Sequence, residues 1–319
     1  NFRFSWHDNV YNITISIGVT ELSVQDMSAD SVIRKADSAC MIAKEQGRNR
    51  IHLFDEGSQE AMLHRAELQW VNQLRQAIQE DRFELYQQTI QAVRQPAQKL
   101  HYELLLRLRD KEDNLVIPDS FIRSAERYGL MPQIDRWVIK HYFLWLQQHP
   151  AHMQQLDMCC INVSGSSLTD LMFKDDVQTL FLEYQIPYHK ICFEITESVA
   201  ILNLQNTLNF IEHFRRQGCR FALDDFGSGF SSYGYLKHFP ADFVKIDGSF
   251  IRDLLGDHYN KAIIKSIHEV AKAMNMLTIA EFVENTAILT ELRLMGIDYV
   301  QGYAISPPMP LVYDRSALA

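Results

Sequence analysis

Residues 221–247 read "FALDDFGSGFSSYGYLKHFPADFVKID", in which an apolar segment ends in two adjacent carboxylates, Asp224 and Asp225. Neighbouring ionised carboxylates repel each other, most strongly where the dielectric constant is low. We therefore expect a cation close to this pair. Adjacent side chains of a strand point to opposite faces, so both carboxylates reach one site only if the strand bends at its end. Gly227 and Gly229 permit such a bend.

Other apolar segments that end in polar residues lie on both sides of this stretch. The eight candidate strands are 83–90, 101–108, 159–164, 191–196, 220–225, 243–247, 277–282 and 299–305. Most are separated by segments with helical periodicity, and this number of β–α–β repeats predicts an α/β fold, a (β/α)8 TIM-like barrel. Residues 91–100 are too short for the crossover that joins parallel strands. The first strand pair of the barrel is therefore predicted to be antiparallel.

The chain before the barrel divides into two parts. Residues 1–56 contain a predicted strand, helix and strand, at 11–20, 28–47 and 50–54, which are too few elements to close a core. Residues 57–80 carry apolar side chains at mostly helical spacing, which predicts a linker helix. The barrel domain is then expected over residues 81–319.

Charge and composition exclude several classes of partner. With 31 basic and 40 acidic residues, the net charge is -9, which argues against the broad cationic surface that a nucleic acid polymer or an anionic membrane requires. A small phosphate ligand remains compatible. The sequence contains no apolar stretch long enough to span a bilayer, and its five cysteines form no CxxC pair. We expect a cytoplasmic chain without direct membrane contact, in which any membrane anchor of a longer parent lies upstream.

Polar residues within or near the ends of the candidate strands define a candidate site. They are Glu103, Asn162, Glu194, Asp224, Asp225, Lys245, Glu281 and Gln301. Any one of them could be a satisfied structural group, but side chains from different strands converge at the carboxyl end of such a barrel. Carboxylate and amide oxygens suit Mg²⁺ or Mn²⁺. The number of acids suggests two ions that share a bridging carboxylate, as in phosphodiester cleavage. Lys245 could then hold the attacking water or stabilise phosphoryl charge.

Seven short motifs then follow one another in order. They are "ELLLR" at 103–107, "INVS" at 161–164, "EITES" at 194–198, "DDFGSG" at 224–229, "KID" at 245–247, "AEFVE" at 280–284 and "QGY" at 301–303. In this order they resemble the EAL domain, the family of cyclic di-GMP phosphodiesterases. The resemblance implies a hydrolase that cleaves cyclic di-GMP to linear pGpG with two Mg²⁺ or Mn²⁺ ions. The alternative is a receptor that binds the nucleotide without cleaving it.

The resemblance also implies roles for individual residues. Catalytic roles fall to Lys245, Glu103 and Glu281, and metal ligation to Glu103, Asn162, Glu194, Asp224, Asp225 and Glu281. Substrate binding falls to Gln88, Leu104, Arg107, Glu284 and Gln301. Glu197 resembles the acid that steadies the loop after Asp225, and that loop with its following helix is implicated in homodimer formation.

Three positions depart from the family pattern. The central alanine of the family's name motif is Leu104, "AEGVE" has become "AEFVE" with Phe282, and Gln88 is followed by Thr89 instead of proline. None of these changes removes an expected metal ligand. Phe282 is expected to alter the wall of the pocket.

The amino-terminal part carries a second resemblance. "ITISIGV" at 13–19 and "ADSACMIAKEQGRN" at 36–49 resemble the carboxyl-terminal portion of a GGDEF domain, the diguanylate cyclase fold. The GGDEF signature itself would lie upstream of Asn1. Residues 1–56 are therefore interpreted as a truncated GGDEF domain without cyclase activity in this chain.

Overall fold

The computed structural model describes residues 2–6, 9–22, 28–45, 47–55, 59–94, 99–227, 236 and 239–311. Its contacts divide the chain into two units, Asn1–Gln73 and Leu74–Ala319. No helix in the described ranges is both long enough and apolar enough to cross a membrane.

The first unit contains a strand hairpin and a small β–α–β arrangement. Strands β1 (Phe2–Trp6) and β2 (Asn9–Ile13) pair antiparallel. Strand β3 (Ile17–Val19) pairs in parallel with β4 (Ile51–Leu53), and helix α1 (Ala29–Glu45) connects them. The sequence predicts one strand over 11–20, whereas the structure divides that segment into β2 and β3 and adds β1, which the sequence analysis missed.

Gly18 explains how closely α1 packs on β3. A Cβ at this position would lie 2.0 Å from the carbonyl oxygen of Ala36 and 2.1 Å from the backbone nitrogen of Cys40. No side chain fits into that space, so this packing requires glycine at position 18.

Helix α2 (Gln59–Gln79) agrees with the helix predicted over 57–80. The boundary between the two units, at Gln73 and Leu74, falls inside it.

The second unit is a closed eight-stranded barrel. Its strands are β5 (Phe83–Ala92), β6 (Leu100–Arg109), β8 (Leu156–Asn162), β9 (Ile191–Thr196), β10 (Arg220–Phe226), β11 (Phe243–Ile246), β12 (Leu277–Ala280) and β13 (Tyr299–Gln301), and the short strands β7 (Leu115–Val116) and β14 (Met309–Pro310) extend β6 and β5. β5 closes the barrel because it pairs antiparallel with both β6 and β13, while the other neighbours in the barrel pair in parallel. This confirms the predicted TIM-like barrel and its antiparallel first strand pair.

Among the residues that the structure describes, ten helices cover the barrel or cap its ends. They are α3 (Ile122–Arg127), α4 (Met131–Gln148), α5 (Pro150–Gln155), α6 (Gly165–Thr169), α7 (Phe173–Tyr184), α8 (Glu197–Leu202), α9 (Leu204–Gln217), α10 (Gly248–Arg252), α11 (His258–Ala273) and α12 (Thr286–Met295). On the outer face, aromatic residues join strands to helices. Phe193 of β9 lies 5.3 Å from Phe210 and 5.6 Å from Phe214 of α9, measured between ring centroids.

Strand alternation separates an apolar layer from a polar one inside the barrel. The apolar layer consists of Ile90, Met158, Cys160, Cys192, Ala222, Phe243 and Ile279, with Tyr299 packed against it. Side chains two residues apart share a strand face. The residues two positions beyond Cys160, Cys192, Ala222, Phe243 and Ile279 are Asn162, Glu194, Asp224, Lys245 and Glu281. These five residues therefore lie above this layer, at or near the carboxyl ends of their strands.

Four strands, β8, β11, β12 and β13, end earlier than the sequence predicts, and the last two end within two residues of a positive φ. The strand expected over 299–305 ends at Gln301, because Gly302 adopts a φ of 149°. A Cβ on Gly302 would lie 2.3 Å from the backbone nitrogen of Val283. The strand expected over 277–282 ends at Ala280, and Phe282 has a left-handed backbone with a φ of 52°.

Candidate active site at the carboxyl end of the barrel

A buried lysine lies at the centre of the site. The Nζ atom of Lys245 on β11 lies 2.8 Å from Glu194, 2.9 Å from Glu281, and 3.2 Å from both Glu103 and Asp224. Removing an ammonium group from water is unfavourable by several kcal/mol unless opposite charges compensate it. Here four carboxylates, from β6, β9, β10 and the residue after β12, surround the buried ammonium group.

Two amide side chains donate hydrogen bonds to the carboxylate of Glu103. Asn162 Nδ2 donates a hydrogen bond to Glu103 Oε1 at 2.7 Å, and Gln301 Nε2 donates to Oε2 at 2.8 Å. Gln301 Nε2 also donates to Gln88 Oε1 at 3.2 Å, and Gln88 Nε2 donates to the carbonyl oxygen of Ser306 at 3.1 Å. This network gives the Glu103 carboxylate one defined orientation.

A second acidic group forms where β10 ends. Asp224, Asp225 and Glu281 each offer one carboxylate oxygen, and these three atoms lie within 4.8 Å of one another. Asp225 reaches this group because its own backbone is left-handed, with a φ of 54°, and the pairing of β10 with β11 shifts register at the same point. The expected bend therefore begins at Asp225 itself and continues through Gly227, whose φ is 97°. Gly229 lies outside the described residues.

Glu197 lies beneath this bend. It is buried at the start of α8, and its Oε2 accepts a hydrogen bond from the backbone nitrogen of Gly227 at 3.0 Å. A Cβ on Gly227 would lie 2.9 Å from the ring of Phe250. The contact occurs where the sequence predicts an acid that steadies the loop, although residues 228–235 of that loop lie outside the described ranges.

The electrostatics keep Lys245 charged. Burial alone would lower the pKa of Lys245, but the surrounding carboxylates raise that pKa well above its ordinary value. Burial would raise the pKa of Glu103, but Lys245 and the hydrogen bonds from Gln301 and Asn162 lower it overall. The protein's own charges thus stabilise an ionised Glu103 beside a protonated Lys245.

The other carboxylates are not fully compensated by Lys245. Burial raises the pKa of Glu194 well above its ordinary value despite the attraction of Lys245, and it also raises the pKa of Asp224. The pKa of Glu281 rises to about 8, mainly through burial. The pKa of Asp225 rises to about 6 through burial and the neighbouring charge of Asp224. The site therefore retains protons near neutral pH unless further positive charge enters it.

The donor set fits hard divalent cations. Five carboxylates face a single ammonium group, and within the described ranges the buried Oε1 atoms of Glu194 and Gln301 have no hydrogen-bond partner. Buried polar atoms without partners are rare in native structures and call for an explanation such as a bound ion. Oxygen ligands of this kind suit Mg²⁺ or Mn²⁺.

Asp135 accepts hydrogen bonds from the segment that follows β8. This buried carboxylate of α4 accepts hydrogen bonds from the backbone nitrogen of Ser164 at 2.9 Å and from Ser167 Oγ at 2.6 Å. Burial raises the pKa of Asp135 to about 6. Asp135 is not among the site residues predicted from the sequence, because a single acid on an amphipathic helix carries no signal of its partners.

Some of the expected substrate-binding residues belong to the hydrogen-bond network around Glu103, and others lie outside it. Gln88 and Gln301 belong to the network around Glu103, whereas Glu284 is exposed beyond the end of β12. Arg107 Nη1 donates to the carbonyl oxygen of Leu106 at 2.7 Å, and its Cζ lies 5.3 Å from the centroid of Tyr86.

The side chain of Leu104 does not join the site. It lies one residue after the inward-facing Glu103 and two after Tyr102, whose hydroxyl meets that of Tyr142 on α4 at 2.7 Å. Alternation therefore places the buried Leu104 on the outer face of the barrel.

Comparisons with known proteins agree with this geometry. Residues 71–308 match the family described as the EAL domain. The chain belongs to the EAL domain family. This EAL chain is 40% identical over 302 residues to the cyclic di-GMP phosphodiesterase PdeB of Shewanella oneidensis, covering 94% of the chain and 35% of PdeB. It is 38% identical over 242 residues to the cyclic di-GMP phosphodiesterase PdeF of Escherichia coli, covering 76% of the chain and 32% of PdeF.

A solved structure shares the fold of the EAL chain. It is described as the PaMucR phosphodiesterase in complex with c-di-GMP, and it superimposes with a TM-score of 0.71 at 29% identity, covering 79% of this chain and 100% of the other. The chain spans about a third of the length of the two curated relatives. These matches confirm the EAL resemblance that the seven motifs indicated.

Proposed function

We propose that this EAL domain hydrolyses one phosphodiester bond of cyclic di-GMP and releases linear pGpG. The names of the two curated relatives and the ligand of the solved structure support this substrate and this reaction. The observation that carries the proposal is the convergence of Glu103, Glu194, Asp224 and Glu281 on Lys245, at distances of 2.8–3.2 Å.

The residues present fit two divalent cations, Mg²⁺ or Mn²⁺. We assign Glu103, Asn162, Glu194 and Asp224 to one ion, and Asp224, Asp225 and Glu281 to the other. The unpartnered Oε1 of Glu194 supports the first group, and the 4.8 Å grouping of acid oxygens supports the second. When bound, such ions lower the pKa of a coordinated water and stabilise charge on the attacking and leaving oxygens.

Lys245 acts as a hydrogen-bond donor in this proposal. The surrounding carboxylates raise the pKa of Lys245 and so favour its protonated form, which is a donor and not a base. Its N–H groups can orient the attacking water and stabilise negative charge that develops on the phosphoryl group. Glu103 and Glu281 keep the ammonium group in position, since both carboxylates lie within 3.2 Å of Nζ.

Substrate contacts are assigned from the family pattern. Arg107 would bind a phosphate of the ligand, and Gln88, Gln301 and Glu284 would form parts of the pocket wall. Leu104 lies between Gln87 of β5 and Ile161 of β8 in the sheet, so its part in this proposal is to hold the strand that carries Glu103 and Arg107.

Hydrolysis is tested by incubating the chain with cyclic di-GMP and either Mg²⁺ or Mn²⁺, and by following pGpG chromatographically. Glu103→Gln keeps the size of the side chain but removes its charge, so it should reduce turnover by at least about 100-fold. Glu112→Gln, a change at an exposed acid, is the matched control and should turn over normally. Tight binding of cyclic di-GMP without any pGpG would favour the receptor alternative instead.

Three further assignments belong to the same proposal. We interpret residues 1–56 as the carboxyl-terminal portion of a GGDEF domain, supported by the parallel β3–β4 pair that α1 connects. We interpret residues 57–80 as the linker helix, supported by the position of α2. The loop after Asp225 and the helix that follows it are proposed to mediate a homodimer, which sedimentation would test.

A further inference from the structure

Phe282 occupies a backbone conformation that favours glycine. It follows Glu281 directly at the carboxyl end of β12, and its φ is 52°. Side chains with a Cβ rarely adopt this region, and such outliers persist where the surrounding structure holds them in place. A phenylalanine at this point therefore requires specific neighbours.

Two residues of α10 are those neighbours. A Cβ on Gly248 would lie 2.1 Å from Cδ2 of Phe282, so the ring lies directly against the Gly248 backbone. The guanidinium carbon of Arg252 lies 4.3 Å from the ring centroid, which is well within the range of a cation–π interaction. We call Phe282 and Arg252 the aromatic–guanidinium pair.

The aromatic–guanidinium pair is open to solvent. Phe282 is 45% exposed, and Arg252 is exposed as well. In the ranges that the structure describes, Arg252 has no carboxylate within ion-pair distance. Its planar N–H groups are therefore available to a ligand.

The pair lies at the rim of the candidate active site. The backbone nitrogen of Glu281 donates to the carbonyl oxygen of Ile246 at 3.4 Å, so the end of β12 meets the end of β11. Asp247, the residue directly after β11, interacts electrostatically with Asp225. Helix α10, which begins at Gly248 and ends at Arg252, starts directly after Asp247.

We propose that the aromatic–guanidinium pair binds one guanine base of the cyclic dinucleotide, with Phe282 as the stacking surface and Arg252 as the reader of the base edge. This inference rests on the proposed function for its ligand. Every base offers a π face to an aromatic ring. Arginine can donate two hydrogen bonds to O6 and N7 of guanine, whereas adenine presents an amino donor in place of O6. The pair would thus favour guanine over adenine.

The test measures binding of cyclic di-GMP and cyclic di-AMP by calorimetry in EDTA, together with KM and kcat for cyclic di-GMP in Mn²⁺. Phe282→Leu keeps an apolar side chain against Gly248 but lacks the π face, and Phe282→Gly removes the ring altogether. Both should weaken cyclic di-GMP binding by about tenfold or more and raise KM by a similar factor. Gln185→Gly is the matched backbone control, since Gln185 also has a positive φ, of 54°, after α7 at the opposite end of the barrel.

Arg252→Lys separates base reading from simple charge. Lysine keeps the charge but lacks the planar fork, so the preference for cyclic di-GMP over cyclic di-AMP should fall by about tenfold or more. An unchanged preference would overturn the assignment of Arg252 as a base reader. Wild-type affinity in Phe282→Leu, with weakening confined to Phe282→Gly, would overturn stacking and leave only a packing role.

The same measurements separate this inference from the proposed hydrolysis. Binding that depends on the pair, without any pGpG, would support the inference and overturn the hydrolase. Turnover that is insensitive to all three variants would support the hydrolase and overturn the inference. No binding of cyclic di-GMP by the wild-type chain in EDTA, together with no turnover in Mn²⁺, would overturn both.

Discussion

Replacing Lys245 with methionine tests how the site balances its charges. Methionine has a similar length but no charge, so four carboxylates that lie within 3.2 Å of Nζ lose their shared partner. Removing one partner of a buried ion pair destabilises proteins by about 3–5 kcal/mol. With four partners, we expect Lys245→Met to lose at least that much stability at pH 8 in the absence of divalent ions.

The loss should depend on pH in a defined direction. Without Lys245, the pKa values of Glu194, Asp224 and Glu281 rise further above those of the unfolded chain, and the pKa of Glu103 is no longer lowered by Lys245. The folded state then binds more protons than the unfolded state. Stability is therefore greatest below the unfolded carboxyl pKa of about 4 and falls as pH rises. The gap between wild type and variant should be small at pH 4 and largest at pH 8, and Mg²⁺ or Mn²⁺ should narrow it at pH 8 because the ions bind the folded state.

The assay is urea unfolding in EDTA at both pH values, followed by tryptophan fluorescence, since Trp137 and Trp145 both lie on α4 of the barrel. Lys261→Met is the matched control. Lys261 pairs with Glu291 at the surface, and such pairs contribute about 1 kcal/mol or less. Equal urea midpoints for Lys245→Met and wild type at pH 8 would refute the view that Lys245 neutralises a buried acidic cluster.

Other predictions follow from the same structure. Adding Mn²⁺ at pH 7 should release protons, because the pKa of Glu281 is raised to about 8 and that of Asp225 to about 6. Calorimetry in two buffers of different ionisation enthalpy measures this proton release. A binding heat that is the same in both buffers would contradict the prediction. Asp135→Asn should stabilise the barrel by up to about 3 kcal/mol at pH 8, since the pKa of Asp135 in the folded chain, about 6, lies above the ordinary 3.8. Urea unfolding at pH 3 should show no gain, because Asp135 is protonated there in both the folded and the unfolded chain. Gly18→Ala should disrupt the packing of α1 on β3 and lower the melting temperature of the first unit, whereas Gly256→Ala, where a Cβ meets nothing within 4 Å, should not.

The barrel and most of its site could be read from local patterns. Each strand has an apolar segment with a polar residue near its end, and in a parallel barrel all such ends lie at one face. Glu103, Glu194, Asp224 and Glu281 therefore had to converge once the strands were assigned. The short connection over 91–100 was enough to predict an antiparallel β5–β6 pair, because chain length limits which connections can form.

Contacts between distant segments could not be read in this way. Asp135 on α4 accepts a hydrogen bond from Ser167, which lies after β8. Gln88 donates a hydrogen bond to the carbonyl oxygen of Ser306. Neither pairing leaves a trace in the periodicity of its own segment. Leu104 was expected at the substrate pocket, but strand alternation turns its side chain to the outer face of the barrel.

The stretch from Asp224 to Gly227 shows where the sequence stops being sufficient. Residue type and order alone determined that two carboxylates would end an apolar strand beside a lysine-bearing one, because repulsion between adjacent charges demands a nearby cation. Only the tertiary structure decided which atoms place the two carboxylates and the cation together. Asp225 adopts a left-handed backbone, and Glu197 accepts a hydrogen bond from Gly227. Lys245 of the neighbouring strand forms an ion pair with Asp224. Backbone torsions and contacts across strands depend on the closed barrel, whose pairing no single segment encodes.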